Sequence, residues 1–343
     1  MLASLCYRET GGWRVPGEVT CASNSCNWEP QRYKPLALTA PRPGPNLSDM
    51  ALTFRKLHPT FVGEARGVDL RTLTEPRVLA EIRAGMDQYG VLVFPEQPLT
   101  DEEHLAFAQA LDGALHMRTG ARVLSKSRFG NEALGDISNL GNDGEILQSG
   151  DRKRAYSLGN RLWHTDASFQ DPPGRYSMLS AKVVPPKGAD TEYADLRGAY
   201  DALPAETKAQ IADLKAHHSI AYSRQVLGFE FSQEEEEALK GAIHPLVRTL
   251  PRSNRKSLYV ASHASRIIDW PIPEGRLLLR DLIEHATQRQ FVYRHSWRVG
   301  DLVIWDNRCT MHRATPFEDT VYRRDMRRTT VLEKLNPAAA ATS

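Results

Sequence analysis

Apolar residues recur along the chain in short stretches, and their spacing predicts mostly β-strands. Alternating or continuously apolar runs of strand length lie at residues 52–57, 61–70 (a strand pair), 90–95, 177–184, 191–195, 291–297, 301–305 and 327–332. Helical spacing occurs at residues 75–89, 100–111, 195–214 and 276–288. Neither a repeated strand–helix–strand unit nor a Gly-rich phosphate loop is found. The pattern predicts a mainly β fold with helical decoration, such as a β-sandwich or a jelly roll.

Both ends of the chain and one internal segment depart from this pattern. Residues 1–49 are rich in proline and lack periodicity, so we expect a disordered extension before one domain at residues 50–336. The Ala-rich end, 337–343, should fray. Residues 113–158 are polar and Gly-rich, and a loop of this length is often functional, so we expect a lid. The acidic run at 234–237 predicts a solvated helix face.

Composition and charge exclude several classes of protein. The chain has 343 residues, of which 41% are hydrophobic, and its net charge of +2 gives no reason to expect nucleic acid or an anionic membrane as a partner. No apolar run approaches the roughly 18 residues that span a bilayer. Three of the four cysteines lie in the first 26 residues, which leaves Cys309 alone in the body of the chain. A body with one cysteine suits the cytoplasm. Oligomeric state is left open, and a homo-oligomer is compatible with these features.

The first candidate for chemistry is a histidine and an aspartate two residues apart, His164 and Asp166. In an extended segment these side chains point to the same face and could bind one metal ion. A third ligand is offered by His312, which follows an apolar strand and a turn. Two histidines and one carboxylate form the facial triad of non-haem Fe(II) oxygenases, although zinc hydrolases can use the same set. The following histidines are interpreted as structural or surface residues: His217, His218, His244 and His263.

A cluster of arginines follows His312. If this segment is a strand, Arg324, Met326 and Arg328 share one face. A guanidinium binds a carboxylate through two parallel hydrogen bonds, so two arginines directed at a metal pocket imply anionic ligands. The alternative is that these arginines form ordinary surface ion pairs.

Several motifs, in the same order along the chain, resemble the taurine dioxygenase family of Fe(II)- and 2-oxoglutarate-dependent oxygenases. The motifs are residues 163–166 (Trp-His-Thr-Asp), 304–308 (Ile-Trp-Asp-Asn-Arg), His312, Arg324 and Arg328. Residues 136–141, 284–289 and 324–328 are most similar to the 2,4-dichlorophenoxyacetate and other aryloxyalkanoate oxygenases of that family. Residues 111–113 (Leu-Asp-Gly) depart from it, because the family usually has a Phe-Gly pair there. The resemblance implies a double-stranded β-helix, the jelly-roll oxygenase fold.

The resemblance also implies a role for individual residues. It makes His164, Asp166 and His312 the iron ligands, with 2-oxoglutarate as cosubstrate, O2 as oxidant and ascorbate as the reductant in assays. It places Thr191 and Arg324 on the far carboxylate of 2-oxoglutarate, with Arg323 as the rival to Arg324. It places Arg328 on the anionic head of the prime substrate and Asn160 in its pocket.

The implied reaction is the hydroxylation of a small anionic molecule. For an aryloxyalkanoate such as 2,4-dichlorophenoxyacetate, hydroxylation beside the ether oxygen yields a phenol and glyoxylate. One alternative is a taurine or alkylsulfonate dioxygenase, since Arg328 would serve either anion. A remote alternative is a binding protein of the same fold without catalytic activity. Whether the pocket walls are apolar or carry polar groups for an amine distinguishes the first two.

Overall fold

The computed structural model describes residues 51–72, 75–117 and 128–334. The strands are β1 (Thr53–Lys56), β2 (Val62–Arg66), β3 (Val91–Phe94), β4 (Gly135–Asp136), β5 (Gly174–Val183), β6 (Thr191–Asp195), β7 (Lys215–His218), β8 (Ala242–Pro245), β9 (Val247–Thr249), β10 (Lys256–Leu258), β11 (Ala264–Ile267), β12 (Val292–His295), β13 (Leu302–Asp306), β14 (Thr310–Ala314) and β15 (Asp325–Leu332). The helices are α1 (Pro76–Tyr89), α2 (Asp101–Asp112), α3 (Arg152–Ser157), α4 (Leu196–Asp201), α5 (Ala205–Ile211), α6 (Ile220–Gln225), α7 (Gln233–Ala238) and α8 (Ile272–Ala286).

The larger sheet has seven strands in the order β1-β2-β3-β13-β5-β15-β4. Its pairs are antiparallel except β2 with β3. Successive residues of its central strands face opposite sides, as the pleat requires. On β13, Leu302 and Ile304 contact the core on one face, whereas Val303 and Trp305 contact the core on the other. Both faces are therefore covered, which explains the continuously apolar sequence of these strands.

Helices α1 and α2 cover the outer face of the larger sheet. Ile82 and Met86 of α1 and Phe107 of α2 are buried in that core. Helix α2 begins with a capping box, in which Thr100 and Glu103 each accept a hydrogen bond from the backbone N–H of the other. The helix start predicted at this position is confirmed.

A second, three-stranded sheet, β12-β6-β14, faces the inner side of the larger sheet. Tyr193 of β6 packs in one core with Leu179, Trp305 and Met326 of the larger sheet. Behind β6 and β14, helices α4 and α8 contribute Leu196, Leu279 and other residues to a further core. Two facing sheets with helices outside them confirm the mainly β fold, and the space between the sheets holds the candidate site.

Local structure differs from the sequence-based expectations in three places. Residues 61–70 contain one strand, β2 (Val62–Arg66), rather than the predicted pair of strands. The predicted lid, 113–158, contains β4 and ends in α3, while its residues 118–127 lie outside the described residues. In the acidic run, Glu234, Glu236 and Glu237 are exposed as predicted, but Glu235 is not: it is 5% exposed, and its carboxylate accepts hydrogen bonds of 2.9 and 2.7 Å from Arg152. Periodicity in a six-residue helix cannot reveal a partner so distant in sequence.

Two further predictions concern the ends of the chain. The predicted extension, 1–49, and the predicted frayed end, 337–343, both lie outside the described residues. Within the part of the chain that the structure describes, every helix is too short or too polar to span a membrane.

Candidate functional site

His164 and His312 are held side by side by their backbones. The His164 N–H donates to the His312 carbonyl at 3.0 Å, and the His312 N–H donates to the His164 carbonyl at 2.8 Å. This isolated antiparallel bridge adds His164 to the edge of β14. Directly opposite residues of an antiparallel pair bring their side chains together. The two imidazole centroids are consequently 4.1 Å apart.

Asp166 completes a cluster of three ligand atoms that lie within 4.8 Å of one another. Its Oδ1 is 4.0 Å from His164 Nε2, and its Oδ2 is 3.7 Å from His312 Nε2. His164 Nδ1 is 2.7 Å from the Leu162 carbonyl, so this nitrogen donates its proton and Nε2 keeps a lone pair. Asp166 Oδ2 is buried and has no hydrogen-bond partner among the described residues. A buried carboxylate oxygen beside two imidazole nitrogens fits a metal ion.

The electrostatic environment keeps these groups in the protonation states that metal binding requires. Burial acts to raise the pKa of Asp166, but Arg328 and the two histidines outweigh it and lower the pKa to about 2. Burial lowers the pKa of His164 to about 4 and that of His312 well below its ordinary value. At neutral pH the site therefore offers one carboxylate and two neutral imidazoles.

Asn307 holds Asp166 in place. Its Oδ1 accepts hydrogen bonds from the Asp166 N–H at 2.9 Å and from Trp305 Nε1 at 3.1 Å. Its Nδ2 donates to Ser177 Oγ at 2.9 Å. From the sequence, Asn307 was identified as part of a turn and of the 304–308 motif, but no role was predicted for its side chain. The buried Asn307 amide, held by hydrogen bonds to Trp305 and Ser177, therefore positions Asp166 from the turn that follows β13.

Beside the triad lies a cavity, which we term the small cavity. It is lined by Ile137, Asn160, His164, Leu179, Thr191, Trp305, His312, Ala314, Arg324 and Arg328. Arg324 is 7% exposed and donates from Nη1 to the Ile137 carbonyl at 3.0 Å. No carboxylate lies within 4.0 Å of it in the described parts of the chain. Burial lowers its pKa to about 10, so it remains charged at neutral pH.

Thr191 also lines the small cavity. Its Oγ1 accepts a hydrogen bond from Trp297 Nε1 at 3.0 Å, which leaves its hydroxyl proton available as a donor. A buried guanidinium and a hydroxyl donor can together hold a carboxylate.

The two neighbouring arginines of the sequence differ sharply in environment. Arg323 is exposed and pairs with Glu145 at 3.0 Å on the surface. Arg324 is buried in the small cavity, and Met326 and Arg328 lie on the same inner face of the sheet, as the alternation predicted. Arg324, rather than Arg323, is thus the arginine that a ligand in the small cavity would meet.

A second and larger cavity, which we term the large cavity, also borders the triad. Its lining includes Asn160, His164, Asp166, Phe169, Ile220, Leu239 and Arg328. Arg328 Nη1 contacts Asp166 Oδ1 at 2.5 Å, so this arginine sits against the metal cluster. The structure therefore brings together all seven predicted site residues: the triad, Thr191, Arg324, Arg328 and Asn160.

Further residues of the large cavity were missed in the sequence, among them His116, Arg224 and His263. The interpretation of His263 as a structural or surface residue was incomplete, because its buried ring lies 5.8 Å from the His164 ring and 5.4 Å from the Phe169 ring. No local spacing in the sequence relates these residues to residues 163–166, which we term the metal motif. Only the folding of the chain brings them close to it.

Comparisons with known proteins agree with this geometry. The family described as "Taurine catabolism dioxygenase TauD, TfdA family" matches residues 53–330. An alpha-ketoglutarate-dependent 2,4-dichlorophenoxyacetate dioxygenase of Burkholderia sp. (strain RASC) is 44% identical over 287 residues, which are 82% of this chain and 95% of that protein. The crystal structure of AAD-2 in complex with Mn(II) and N-oxalylglycine is 47% identical and has a TM-score of 0.76, covering 83% of this chain and 98% of that chain.

A taurine dioxygenase from Burkholderia xenovorans is less similar, with 29% identity, a TM-score of 0.66 and coverage of 84% of this chain and 93% of that chain. These matches confirm the predicted jelly-roll oxygenase fold and the predicted resemblance. The chain belongs to the TauD/TfdA family of dioxygenases, which use Fe(II), 2-oxoglutarate and O2.

Proposed function

We propose that the prime substrate is an aryloxyalkanoate, such as 2,4-dichlorophenoxyacetate, and that the enzyme cleaves its ether bond. When bound, Fe(II) and 2-oxoglutarate would supply the oxidising chemistry with O2 as the oxidant: one oxygen atom enters succinate, which forms with loss of CO2, and the other enters the substrate. Hydroxylation of the carbon beside the ether oxygen gives a hemiacetal. The hemiacetal breaks down to a phenol and, from an acetate side chain, glyoxylate.

The proposed iron ligands are His164, Asp166 and His312. This assignment is supported by the clustered ligand atoms, by the Nδ1 hydrogen bond that leaves His164 Nε2 free, and by the unpartnered Asp166 Oδ2. Two histidines and one carboxylate leave further coordination positions open to cosubstrate and oxidant.

The proposed partners of the far 2-oxoglutarate carboxylate are Arg324 and Thr191. The support is that Arg324 is a buried cation with neutral hydrogen-bond partners, so a bound carboxylate would supply its missing counter-charge. Its placement in the protein interior excludes water, which strengthens this contact.

The observation that favours an aryloxyalkanoate over taurine is the lining of the large cavity. Its apolar wall includes Phe169, Ile220 and Leu239, which suit an aromatic ring. Its carboxylates, among the described residues, are Asp166 of the triad and Asp136, which already pairs with Lys153 at 3.0 Å. An ammonium group such as that of taurine would therefore lack a free counter-charge.

Arg328 and Asn160 are proposed to orient the substrate. Arg328 lines both cavities beside Asp166, and Asn160 likewise lines both. A cation at this junction would direct the carboxylate of the substrate so that the adjacent C–H bond faces the metal.

The test is a comparison of substrates with purified enzyme supplied with Fe(II), ascorbate and 2-oxoglutarate. Phenoxyacetates should stimulate succinate release and yield an equal amount of phenol, whereas taurine should not stimulate it. Stimulation by taurine, or by an alkylsulfonate, without phenol formation from phenoxyacetates would overturn the proposed substrate.

We also infer that the enzyme works on this small molecule in the cytoplasm. The support is chemical: the thiol of Cys309 is free and buried, as suits a reducing compartment.

A further inference from the structure

Arg224, on α6, presents a buried guanidinium to the large cavity. The residue is 3% exposed. Its Nη1 donates to Ser223 Oγ at 3.0 Å, its Nη2 donates to Asn160 Oδ1 at 3.1 Å, and its guanidinium lies 4.9 Å from the Tyr156 ring centroid. Its buried Nε has no hydrogen-bond acceptor among the described residues. One donor of the guanidinium thus lacks an acceptor, and Arg224 is among the residues that line the large cavity.

The other cations that line the large cavity already contact carboxylates. Arg128 contacts Asp325 at 2.6 Å, Lys153 contacts Asp136 at 3.0 Å, and Arg328 contacts Asp166 at 2.5 Å. Arg224 differs from these cations, because within the described parts of the chain no carboxylate lies within 4.0 Å of it and its hydrogen-bond partners are neutral.

A buried cation without a counter-charge costs free energy, because it has lost its hydration without gaining an ion pair. Arginine keeps its proton at neutral pH even where burial lowers its pKa, as burial does at Arg224. Arg224 thus remains a positive charge that a bound anion can neutralise. Such groups in a cleft are typical of binding sites rather than of structural ion pairs.

The guanidinium of Arg224 packs closely against Gly159, which lies shortly before the metal motif. A Cβ atom at this position would lie 2.3 Å from Arg224 Nε and 2.4 Å from its Cζ. Any larger residue at 159 would displace the guanidinium. Asn160, the next residue, accepts its hydrogen bond and lines the small cavity as well. The guanidinium is therefore held in a fixed place close to the metal motif, before any ligand binds.

We propose that Arg224 is a second anion-binding residue of the large cavity and contacts the carboxylate of the prime substrate. Arg328 already forms an ion pair with Asp166. Arg224 has neutral hydrogen-bond partners, so its charge can pair with a bound carboxylate. This inference rests on the proposed function, since it takes the prime substrate to be a carboxylate with an aromatic ring. It adds a specificity-determining residue that lies far from the metal motif in sequence.

The test measures binding rather than turnover. The protein is loaded with Mn(II) and N-oxalylglycine and titrated calorimetrically with phenoxyacetate and with neutral phenoxyacetamide. Loss of a charge-assisted hydrogen bond in Arg224→Gln should weaken phenoxyacetate binding about 10- to 100-fold. Binding of phenoxyacetamide should change by less than about twofold, because it carries no charge to lose. Equal weakening of both ligands, or no change for phenoxyacetate, would overturn the proposal.

A matched control is Arg152→Gln, which removes the same charge from a residue that pairs with Glu235 outside the large cavity. It should leave phenoxyacetate binding unchanged. If Arg224→Gln does not fold, Arg224→Lys carries the test: it keeps the charge but loses the planar fork, so phenoxyacetate should bind about 3- to 10-fold more weakly, with phenoxyacetamide unaffected. An unchanged affinity in the Lys variant would then contradict the proposal.

Failure of the proposed function gives a different result. In that case the unmodified protein releases no phenol from any phenoxyacetate and does not bind phenoxyacetate in the titration. If it binds and cleaves phenoxyacetate while Arg224→Gln behaves identically, only the role of Arg224 is wrong.

Discussion

The backbones of His164 and His312 pair through two reciprocal hydrogen bonds of 3.0 and 2.8 Å. The metal motif is thereby an extension of the smaller sheet rather than a free loop. Both imidazoles take their positions from β14, and Asp166 takes its position from Asn307, which directly follows β13 of the larger sheet. The triad consequently spans the two sheets, and its geometry depends on how they face each other.

Removing one ligand of the triad should abolish metal binding. We expect His164→Ala and Asp166→Ala to weaken Mn(II) binding by more than about 100-fold. Mutation of a residue that only hydrogen-bonds a metal ligand already lowers metal affinity about 10- to 100-fold. Calorimetric titration with Mn(II) measures this directly, and succinate release should be lost in parallel. His58→Ala, which removes a part-buried imidazole near the start of the domain, serves as the control. Normal metal affinity in either triad variant would refute the ligand assignment.

Substitutions of Arg324 and Arg323 should have different effects on the KM for 2-oxoglutarate. Arg324→Gln should raise the KM for 2-oxoglutarate about 10- to 100-fold, because a buried charge-assisted contact to a carboxylate is lost. Arg323→Gln should change it by less than about twofold, since this exposed residue pairs only with Glu145 at the surface. Succinate release at varied 2-oxoglutarate concentration measures both. The reverse pattern would show that the buried position of Arg324 does not mark the cosubstrate site.

Asn307 should act on the metal through Asp166. Asn307→Leu leaves the Asp166 N–H and Trp305 Nε1–H without their acceptor, and we expect metal affinity to fall about 10- to 100-fold. Asn307→Asp keeps an acceptor oxygen for both donors, so its metal affinity should fall less than that of Asn307→Leu. Mn(II) titration of folded protein, verified by circular dichroism, checks this order. Equal losses in the two variants would argue against positioning by the Oδ1 contact.

Buried neutral histidines should make the protein sensitive to acid. His104 is fully buried between α2 and β15, where its Nε2 lies 3.1 Å from Thr329 Oγ1, and burial lowers its pKa from 6.5 to about 3. Between these values the unfolded chain binds a proton that the folded chain does not. The free energy of unfolding should thus decrease as pH falls from 6.5 to about 3, by up to about 1.4 kcal/mol per pH unit for this histidine.

Urea unfolding at several pH values measures this slope. His104→Gln keeps a hydrogen-bonding side chain without a titrating group, so its stability should fall less steeply with acid. An identical slope in the variant and the parent protein would mean that other buried groups account for the acid sensitivity.

Features that depend on neighbouring residues were accessible from the sequence. The capping box of Thr100 and Glu103, the apolar strand β13 and the shared face of Arg324 and Arg328 each follow from spacing along a regular element. The short His-x-Asp spacing predicted a metal pair for the same reason. His312 was a candidate third ligand because of its position after a strand and a turn, and the resemblance of several motifs to one family then implied the metal and the cosubstrate.

Only the tertiary structure decided which distant residues meet at the site. Asn307, Arg224 and His263 reach the triad or the large cavity from separate segments, and no periodicity connects them to His164. Glu235 was expected to be solvated, yet it is buried against Arg152 for the same reason. Hydrophobic spacing determines which face of an element is buried, whereas contacts between elements depend on how the sheets and helices pack. The sequence by itself therefore determined the fold class and the candidate metal pair, and the packing of the two sheets determined which residues surround that pair.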